Sequence, residues 1–545
     1  MKAIFTFLLL TATAFVSLMA SAQPKGKLGS IPLKSGNGPL YGTDVYLHNN
    51  PSHDQRQAGL SVAFNGWLYA CYSLGYGGFI VVKSTDNGVT WDGWENTEWS
   101  GYYFPKLDIV VTGNTVDSLQ VWVAYTCLDT SDSTSWFIGY ENFDGNLNYI
   151  GTTDLDTFTS DIGYYDVAIA SDYRNPAVGS NPYSLGILVS KWSSPYDSLL
   201  FFTSGDGGQT FNARVTVTTS GSYLGGVSLS YGKCQAYPKG RYFAAWEERD
   251  NQSASDCSIY TSHTISTFAS DFVHGVRLDS IGGGAILGLV KNPSISTQFS
   301  EDDNDQNDLT AVVLFDLDQN GNGETFGISG MYNKKTLSGG SWNQLTVSNS
   351  TDDCIQPDIS FDPGYGNFLV TYFDSTTQKL FYVYEGLNLP SVNQWTVESS
   401  GYNDQANLVA PWPKVRINPA QEEVAHVWVG EWPSGKGAAM FDAEYSNYVG
   451  VSENHQSDLA SLYGAFPDPC STYTSIGFSL AVKTRVTLSM YSEYGKQLGV
   501  LMNQVCVPGK YDVRADMSGF PAGCYLYRFQ AGDFTASGKI IVVKQ

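Results

Sequence analysis

The segment "WEERDN" places charged side chains in succession, from Glu247 to Asp250. Carboxylates beside an arginine can have shifted pKa values, and one of a pair can act as a general base while the cation orients it. Glu247 and Glu248 are therefore candidate catalytic residues, and Arg249 is a candidate ligand-binding residue. The alternative interpretation is a solvated loop or a salt-bridged rim, in which these charges do no chemistry.

A second segment, "DLDQNGNGE", offers oxygen atoms at alternating positions. Oxygen ligands at positions one, three and five, with glycine at position six, suit a calcium loop. Position twelve is Gly327 rather than the glutamate of an EF-hand, so a shorter loop is predicted. Calcium is thus a candidate cofactor, and a plain polar turn is the alternative. The candidate ligands are Asp316, Asp318, Asn320, Asn322 and Glu324.

Large aromatic residues stand in several predicted loops. Aromatic faces suit stacking against sugar rings or docking of a protein segment, because they bury much area at low entropic cost. The alternative is that several of them belong to the core between repeats. The candidate ligand-binding aromatics are Tyr102, Trp136, Trp192, Trp412 and Trp432.

Two copies of an S-x-D-x-G-x-T-aromatic pattern indicate the elements that position these residues. The first copy comprises Ser84, Asp86, Gly88, Thr90 and Trp91, and the second comprises Ser204, Asp206, Gly208, Thr210 and Phe211. A short carboxylate can accept hydrogen bonds from backbone N–H groups of its own turn, and glycine supplies a positive φ. The pattern resembles the Asp box of the BNR-repeat proteins, which include the sialidases, and predicts a structural role for both aspartates.

The region between Gln23 and about Ser452 repeats a motif of alternating strands. Each repeat opens with a short strand and continues with a more apolar one; the openings begin at Leu60, Leu107, Val167, Val227, Ser294, Asp358 and Lys414. Repeats longer than about 40 residues with about four strands each are typical of a β-propeller, whose blades bury their faces against one another. We predict an all-β propeller, with seven blades favoured and six as the alternative. A parallel β-helix is a weaker alternative.

The resemblance to sialidases extends to "RQAGLSVAF", where Arg56 stands at the position of an arginine that binds the substrate carboxylate in that family. Arg56 is on that ground a candidate catalytic-site residue. However, Gln57 and Ala58 replace the Ile-Pro of the family, and the loop "SLGYGG" has no aspartate to serve as the general acid. Seven arginines occur in the repeat region, and their spacing selects no carboxylate-binding triad.

The two ends of the chain predict export. Residues 1–22 resemble a signal peptide, with an apolar run from Ile4 to Met19 before an A-x-A site. Residues 465–545 predict a small β-sandwich that resembles the C-terminal sorting domain of the type IX (Por) secretion system. The Pro467-x-Pro469 start, the P-x-G-x-Y strand and the terminal K-x-x-V-x-K carry this resemblance. It implies passage through Sec and the type IX machinery of a Gram-negative bacterium, leaving the propeller, residues 23–455, secreted or at the cell surface.

The formal net charge of -23 disfavours nucleic acid and anionic membranes as partners, because these require basic patches. No run reaches the length of a membrane-spanning segment. The eight cysteines are too few for a disulfide scaffold, and spacing leaves open whether any pair is bridged.

The leading hypothesis is an extracellular propeller that binds glycan or protein through its aromatic loop face without covalent chemistry. The alternative is a glycoside hydrolase of the sialidase superfamily, and a third interpretation is a structural spacer in a surface assembly.

Overall fold

A computed structural model of the chain divides it into two compact units, Met1–Tyr445 and Ser446–Gln545. The residues that the structure describes are 44–47, 54–96, 99–131, 134–159, 162–171, 184–193, 195–212, 214–234, 236–249, 257–265, 271–279, 289–298, 308–318, 321, 323–348, 352–362, 366–386, 395–397, 401–403, 408, 411–418, 423–443, 460–466, 470–480, 482–492, 496–532 and 534–544. The predicted signal peptide, Asn320, Asn322, Pro467 and Pro469 lie outside these residues.

The described part of the first unit consists of β-strands and one 3-10 turn, Val116–Ser118. In chain order the strands are β1 (Val45–Tyr46), β2 (Arg56–Val62), β3 (Leu68–Ser73), β4 (Tyr76–Gly77), β5 (Phe79–Ser84), β6 (Asp92–Asn96), β7 (Trp99–Thr112), β8 (Gln120–Asp129), β9 (Ser135–Asp144), β10 (Tyr149–Thr159), β11 (Ile162–Ser171), β12 (Leu185–Ser193), β13 (Asp197–Ser204), β14 (Val215–Ser220), β15 (Tyr223–Cys234), β16 (Tyr237–Arg249), β17 (Cys257–His263), β18 (Val276–Arg277), β19 (Val290–Thr297), β20 (Ala311–Leu317), β21 (Gly327–Asn333), β22 (Asn343–Thr346), β23 (Cys354–Asp362), β24 (Asn367–Asp374), β25 (Lys379–Gly386), β26 (Thr396–Val397), β27 (Lys414–Asn418), β28 (Glu423–Glu431) and β29 (Gly437–Ala443).

These strands form seven antiparallel sheets. Their strand orders are β2-β3-β5-β6, β10-β9-β8-β7-β4, β11-β12-β13-β14, β15-β16-β17-β18, β19-β20-β21-β22, β23-β24-β25-β26 and β1-β29-β28-β27. In the last sheet the outer strand β1 comes from the beginning of the chain and pairs with β29. The two ends of the first unit are thereby joined by backbone hydrogen bonds.

The first strands of successive sheets lie side by side and close a ring. Strands β2, β7, β11, β15, β19, β23 and β27 contact one another in this order, and β27 contacts β2 again. The first unit is therefore a β-propeller, which confirms the predicted all-β fold class. Each of the seven sheets in the described residues opens with one of the strands predicted from the sequence.

Burial of apolar side chains between adjacent sheets holds the ring together. Val110 and Trp122 of one sheet pack in a single cluster with Tyr164 and Ile187 of the next. The innermost strands are too far apart for backbone pairing, and side-chain oxygens bridge them. Ser61 Oγ accepts the Val111 N–H at 3.0 Å, and equivalent bonds join Asp108 to Ile169, Ser228 to Ile295, Ser294 to Ile359 and Asp358 to Val415. Polar residues of these strands therefore satisfy backbone donors at these five junctions, or seams, between neighbouring sheets.

The second unit is a small two-sheet β-sandwich, as predicted. Its strands are β30 (Ala460–Phe466), β31 (Tyr473–Leu480), β32 (Thr484–Ser492), β33 (Gln497–Cys506), β34 (Gly509–Asp516), β35 (Gly523–Ala531) and β36 (Phe534–Val542). The sheets have the orders β30-β31-β34 and β33-β32-β35-β36, and the core between them includes Phe478, Leu488 and Phe529. None of the eight cysteines forms a disulfide bond. Within the described residues, no helical segment has the length and apolar character needed to cross a lipid bilayer.

Candidate functional site

A cavity of about 630 Å³ lies on the ring axis and is lined by residues of the innermost strands of all seven sheets. Its walls combine serine hydroxyls, aromatic side chains and a set of charged groups. The charged lining residues are Lys106, Asp108, Asp166, Glu247, Arg249, Asp358, Lys414 and Arg416.

Bulges in the innermost strands direct these side chains into the cavity. Six of the seven innermost strands have a register shift against the second strand of their sheet, at equivalent positions. Gln57, Asn292 and Gln356 have φ near +55° to +59° at three of these bulges, and Trp412 has φ +45° just before β27. Bulges re-aim the following side chains and recur beside functional sites. A proline follows three of these residues, as in "NPSIS", "QPDIS" and "WPKVR".

Glu247 is the most buried carboxylate in the cavity wall. Arg249 forms an ion pair with its Oε2, and the backbone N–H of Asn292 donates to its Oε1. Burial raises the pKa of Glu247, and the cation of Arg249 opposes that effect; the nearby charge of Asp166 raises it further. Glu247 is thus held by donors on both oxygens, and its pKa is displaced in the direction that favours a general acid.

The predicted pairing of Glu247 with Glu248 is wrong. Adjacent residues of a strand point to opposite faces of the sheet, and both residues belong to β16. Glu248 accepts a hydrogen bond from Ser220 and does not line the cavity, whereas Glu247 and Arg249 do. Asp250 lies outside the described residues.

Lys106 and Asp166 form a second ion pair in the wall. Lys106 Nζ lies 3.1 Å from Asp166 Oδ1, and the backbone N–H of Gly226 donates to Asp166 Oδ2 at 2.7 Å. The same ammonium group stands 5.1 Å from the ring centroid of Trp412, within reach of a cation–π interaction.

A third charged group surrounds Asp358, which is 5 % exposed. Its carboxylate lies 3.1 Å from Lys414 Nζ and 2.7 Å from Arg416 Nη1, and it accepts the Val415 N–H at 3.0 Å. Burial by itself would raise the pKa of Asp358, but the two cations and the backbone donor outweigh it and hold the pKa below its usual value. Burial raises the pKa of Asp108, and the charges of Lys414 and Arg416 oppose that shift.

Five aromatic residues line the cavity: Tyr103, Tyr223, Tyr231, Phe361 and Trp412, of which Tyr231 and Phe361 are buried in the core. Of the five predicted aromatics, only Trp412 is among them. Trp192 is 37 % exposed away from the cavity lining, and Tyr102 and Trp136 pack against core clusters.

Trp432, a candidate ligand-binding aromatic, takes the alternative core position instead, because this residue is 5 % exposed. Its ring stacks on Tyr46 at a centroid distance of 4.2 Å. Strand β1, which carries Tyr46, arrives from the beginning of the chain and covers it. Trp432 is therefore a core residue at the point where the ring closes.

Arg56 does not line the cavity. Its guanidinium bonds Asp54 at 2.5 Å and is largely exposed, with 58 % of the side chain accessible, so it belongs to a surface ion pair. Arg214 and Arg277 are likewise paired with neighbouring aspartates, and Arg174 lies outside the described residues. Among the arginines that the structure describes, only Arg249 and Arg416 line the cavity, and each is paired with a carboxylate.

The candidate calcium loop follows strand β20. Asp316 accepts hydrogen bonds from Asn292 Nδ2 of its own sheet at 2.6 Å and from the Gln356 N–H of the next sheet at 2.8 Å, which ties two sheets of the propeller together. Asp318 accepts from the Gly323 N–H at 2.6 Å, as in a turn. The described residues contain no group of three or more His, Cys, Asp or Glu side chains arranged to hold a metal ion.

The two Ser-Asp turns, at Ser84–Trp91 and Ser204–Phe211, have the same hydrogen bonds. In the first, Ser84 Oγ donates to Asp86 at 2.8 Å and accepts from the Gly88 N–H, and the Thr90 N–H and hydroxyl donate to Asp86. The second repeats each bond. In both turns the glycine has φ near +85° and leaves no room for a Cβ, because Phe441 or Trp122 of the preceding sheet lies against it. These two turns therefore pack closely against the sheets that precede them.

Sequence reasoning missed Lys106, Asp166, Tyr223 and Asn292 as cavity residues. A signal for them was present, because they stand at or just before the first residues of the opening strands. In an antiparallel strand whose alternate side chains are apolar, the polar positions in between face the other side. In the innermost strands of this propeller, such polar side chains meet the neighbouring sheet close to the axis, as Ser61 does, and the cavity lies beside them.

No family model matches this chain, and no curated protein matches it. Among solved structures, the chain is similar to an α-L-arabinofuranosidase from Fusarium graminearum, with 12% identity, a TM-score of 0.42 and coverage of 74% of this chain and 98% of that one. It is similar to an α-L-arabinanase from Penicillium chrysogenum with 12% identity, a TM-score of 0.38 and the same coverage. A Trypanosoma rangeli sialidase has 10% identity, a TM-score of 0.36 and coverage of 92% and 88%.

Proposed function

We propose that the propeller is an extracellular carbohydrate-binding protein whose axial cavity receives a sugar unit of a glycan. The observation that carries this proposal is the composition of the cavity wall. A volume of about 630 Å³ lies within the range typical of small-molecule sites, and it is lined by hydroxyls, aromatic rings and ion-paired charges. Sugars present hydroxyls at their edges and apolar C–H faces, which match these groups.

The aromatic residues would supply the stacking surface. Tyr103, Tyr223 and Trp412 lie on three different innermost strands or the segments that enter them, so a sugar ring can meet more than one face. Trp412 is fixed by its backbone N–H, which donates to Gln356 Oε1 at 3.0 Å. A rigid aromatic residue loses little entropy on binding.

The test is a glycan array probed with the full chain, followed by calorimetric titration of the glycans that bind. Trp412→Ala should weaken binding by about 0.5–1.5 kcal/mol, or roughly two- to twelvefold. Trp192→Ala is the matched control, because Trp192 is exposed outside the cavity lining and should leave binding unchanged. Binding that survives Trp412→Ala but is lost in Trp192→Ala would place the site elsewhere. Silence on the array with capture of a protein partner would support a spacer or a protein-binding role instead.

Glycoside hydrolysis is the second candidate, and the interaction between Glu247 and Asp166 favours it. Both carboxylates line one cavity, and the charge of Asp166 raises the pKa of Glu247. Two carboxyl groups that flank the scissile bond are the usual requirement for this reaction. Glu247 would act as the acid and Asp166 as the base or nucleophile.

A panel of fluorogenic glycosides separates the two candidates. Turnover that is lost in Glu247→Gln and Asp166→Asn, while glycan binding is kept, would establish hydrolysis. Glu248→Gln is the matched control, because Glu248 faces away from the cavity, and it should keep any activity. Binding without turnover across the panel would support the binding function.

We also propose that the chain is exported by Sec and then by the type IX system, with the second unit as the sorting domain. The signal-peptide pattern, the sandwich fold of the second unit and the ordered tail motifs support this proposal. Expression in a type IX-competent bacterium should yield extracellular protein that lacks the tail, as measured by mass spectrometry of the culture medium. Deleting residues 465–545 should leave the propeller in the periplasm, whereas undiminished secretion of the truncated chain would contradict the proposal.

A further inference from the structure

The cations that line the axial cavity are each matched by a carboxylate of the same wall. Lys106 is paired with Asp166 at 3.1 Å, and Arg249 is paired with Glu247. Lys414 and Arg416 share Asp358, and both also lie in the electrostatic field of Asp108. The described lining residues thus contain four cations and four carboxylates, so the wall carries no excess of either charge.

Hydrogen bonds also hold the paired groups in place. Asp358 accepts from both of its cations and from a backbone N–H, and Glu247 accepts from Arg249 and from the Asn292 N–H. A ligand carboxylate that approached one of these cations would compete with, or displace, the wall carboxylate that already neutralises it. The displaced carboxylate would remain buried and unpaired, which costs several kcal/mol.

Resting on the proposed function, we propose that the axial cavity selects uncharged sugars and discriminates against acidic ones such as sialic or uronic acids. The neutral wall supplies donors and acceptors for hydroxyl groups, and aromatic residues such as Tyr103, Tyr223 and Trp412 supply surfaces for a C–H face. The carboxylate of an acidic sugar finds no unpaired cation in the wall, and the negative charges of Asp166 and Glu247 repel it. The selectivity therefore arises from charge pairing within the wall.

The test compares pairs of ligands in which one member carries an additional acidic sugar residue. The full chain is titrated with lactose and 3′-sialyllactose, and with xylo-oligosaccharides that lack or carry a glucuronic acid branch. For any pair with measurable binding, the neutral member should bind roughly tenfold or more tightly, which corresponds to about 1.4 kcal/mol. Tighter binding of the acidic member would overturn the inference.

Asp166→Asn sharpens the test, because it releases Lys106 while an amide oxygen still accepts the Gly226 N–H. The variant should shift the ratio of affinities toward the acidic member by roughly tenfold. Asp156→Asn is the matched control, since it releases Arg214 outside the axial cavity, and its ratio should equal that of the unsubstituted chain. An unchanged ratio in Asp166→Asn would refute charge pairing as the cause of selectivity.

Failure of the proposed function has a different signature. If neither member of any pair binds and no glycan on the array depends on Trp412, carbohydrate binding itself is refuted, and the inference falls with it. If glycans bind in a Trp412-dependent manner but acidic members bind more tightly, only the inference is refuted.

Discussion

Replacing Asp358 by alanine should destabilise the propeller more than other single changes at its axis. The substitution leaves Lys414 and Arg416 without their shared carboxylate in a wall where Asp358 is 5 % exposed, and it removes the acceptor of the Val415 N–H. Removing one partner of a buried ion pair costs about 3–5 kcal/mol, and the cost here lies at the lower end because the Lys414 and Arg416 side chains are 35 % and 28 % exposed. The interactions that are lost lie between strands β23 and β27.

The assay is urea unfolding followed by tryptophan fluorescence, with Asp358→Asn as the control. Asparagine keeps an oxygen for the Val415 N–H, so its loss should be smaller, about 1–3 kcal/mol. The folded-state pKa of Asp358 lies below its usual value. Its contribution is therefore present above the ordinary aspartate pKa and is lost as the pH falls through the folded value, below about pH 4. An Asp358→Ala midpoint equal to that of the unsubstituted chain would refute the role of this ion pair in closing the ring.

Further predictions concern other parts of the propeller. Burial raises the pKa of Glu423 to about 7, against the opposing effect of its Asn87 hydrogen bond. The stability from Glu423 should therefore be fully present below its ordinary pKa and be lost as the pH rises through about 7; Glu423→Gln should flatten this dependence in unfolding midpoints. Ser84→Ala and Ser204→Ala should each cost about 1 kcal/mol through loss of one turn acceptor, while Ser131→Ala, in an exposed loop, should not. Trp432→Ala should lower the free energy of unfolding in urea by about 3–5 kcal/mol and leave the glycan affinity of the folded fraction unchanged. Unchanged stability with lost glycan affinity would instead indicate that Trp432 contacts the ligand. For the predicted calcium loop, calcium should raise the melting temperature relative to a chelator, and Asp318→Asn should reduce that difference; equal melting temperatures would count against calcium.

The strands of this propeller could be predicted because each carries a local signal. Most of the opening strands alternate apolar and polar residues, although "VAIA" from Val167 is wholly apolar, and the second strands are more apolar, as expected for sheets covered on both faces. The two Ser-Asp turns are also local, since eight residues contain every donor and acceptor they use. Nothing beyond nearest-neighbour sequence is needed to recognise either feature.

The candidate site depends on contacts that sequence spacing does not contain. Trp432 is buried because strand β1, from the other end of the unit, pairs with β29 and stacks Tyr46 on it. Arg249 and Glu247 could be found from one segment, but Asn292, which completes their hydrogen bonding, comes from the next sheet. The opposite orientations of the Glu247 and Glu248 side chains could be predicted from the sequence, because adjacent residues of a strand face opposite sides.

The neutral wall of the cavity follows from how the ring is closed. Seven innermost strands meet at the axis without pairing, so their backbone donors need side-chain acceptors from the neighbouring sheet, and serine and aspartate supply them. An aspartate used in this way is buried and requires a cation nearby, which explains why Lys414 and Arg416 stand beside Asp358. The charged side chains of the cavity are thus already paired where neighbouring sheets meet. A ligand therefore contacts hydroxyl groups, aromatic rings and ion pairs that are already formed. A sialidase-type arginine cluster would need cations that the seams do not use, and among the described residues the cavity has none.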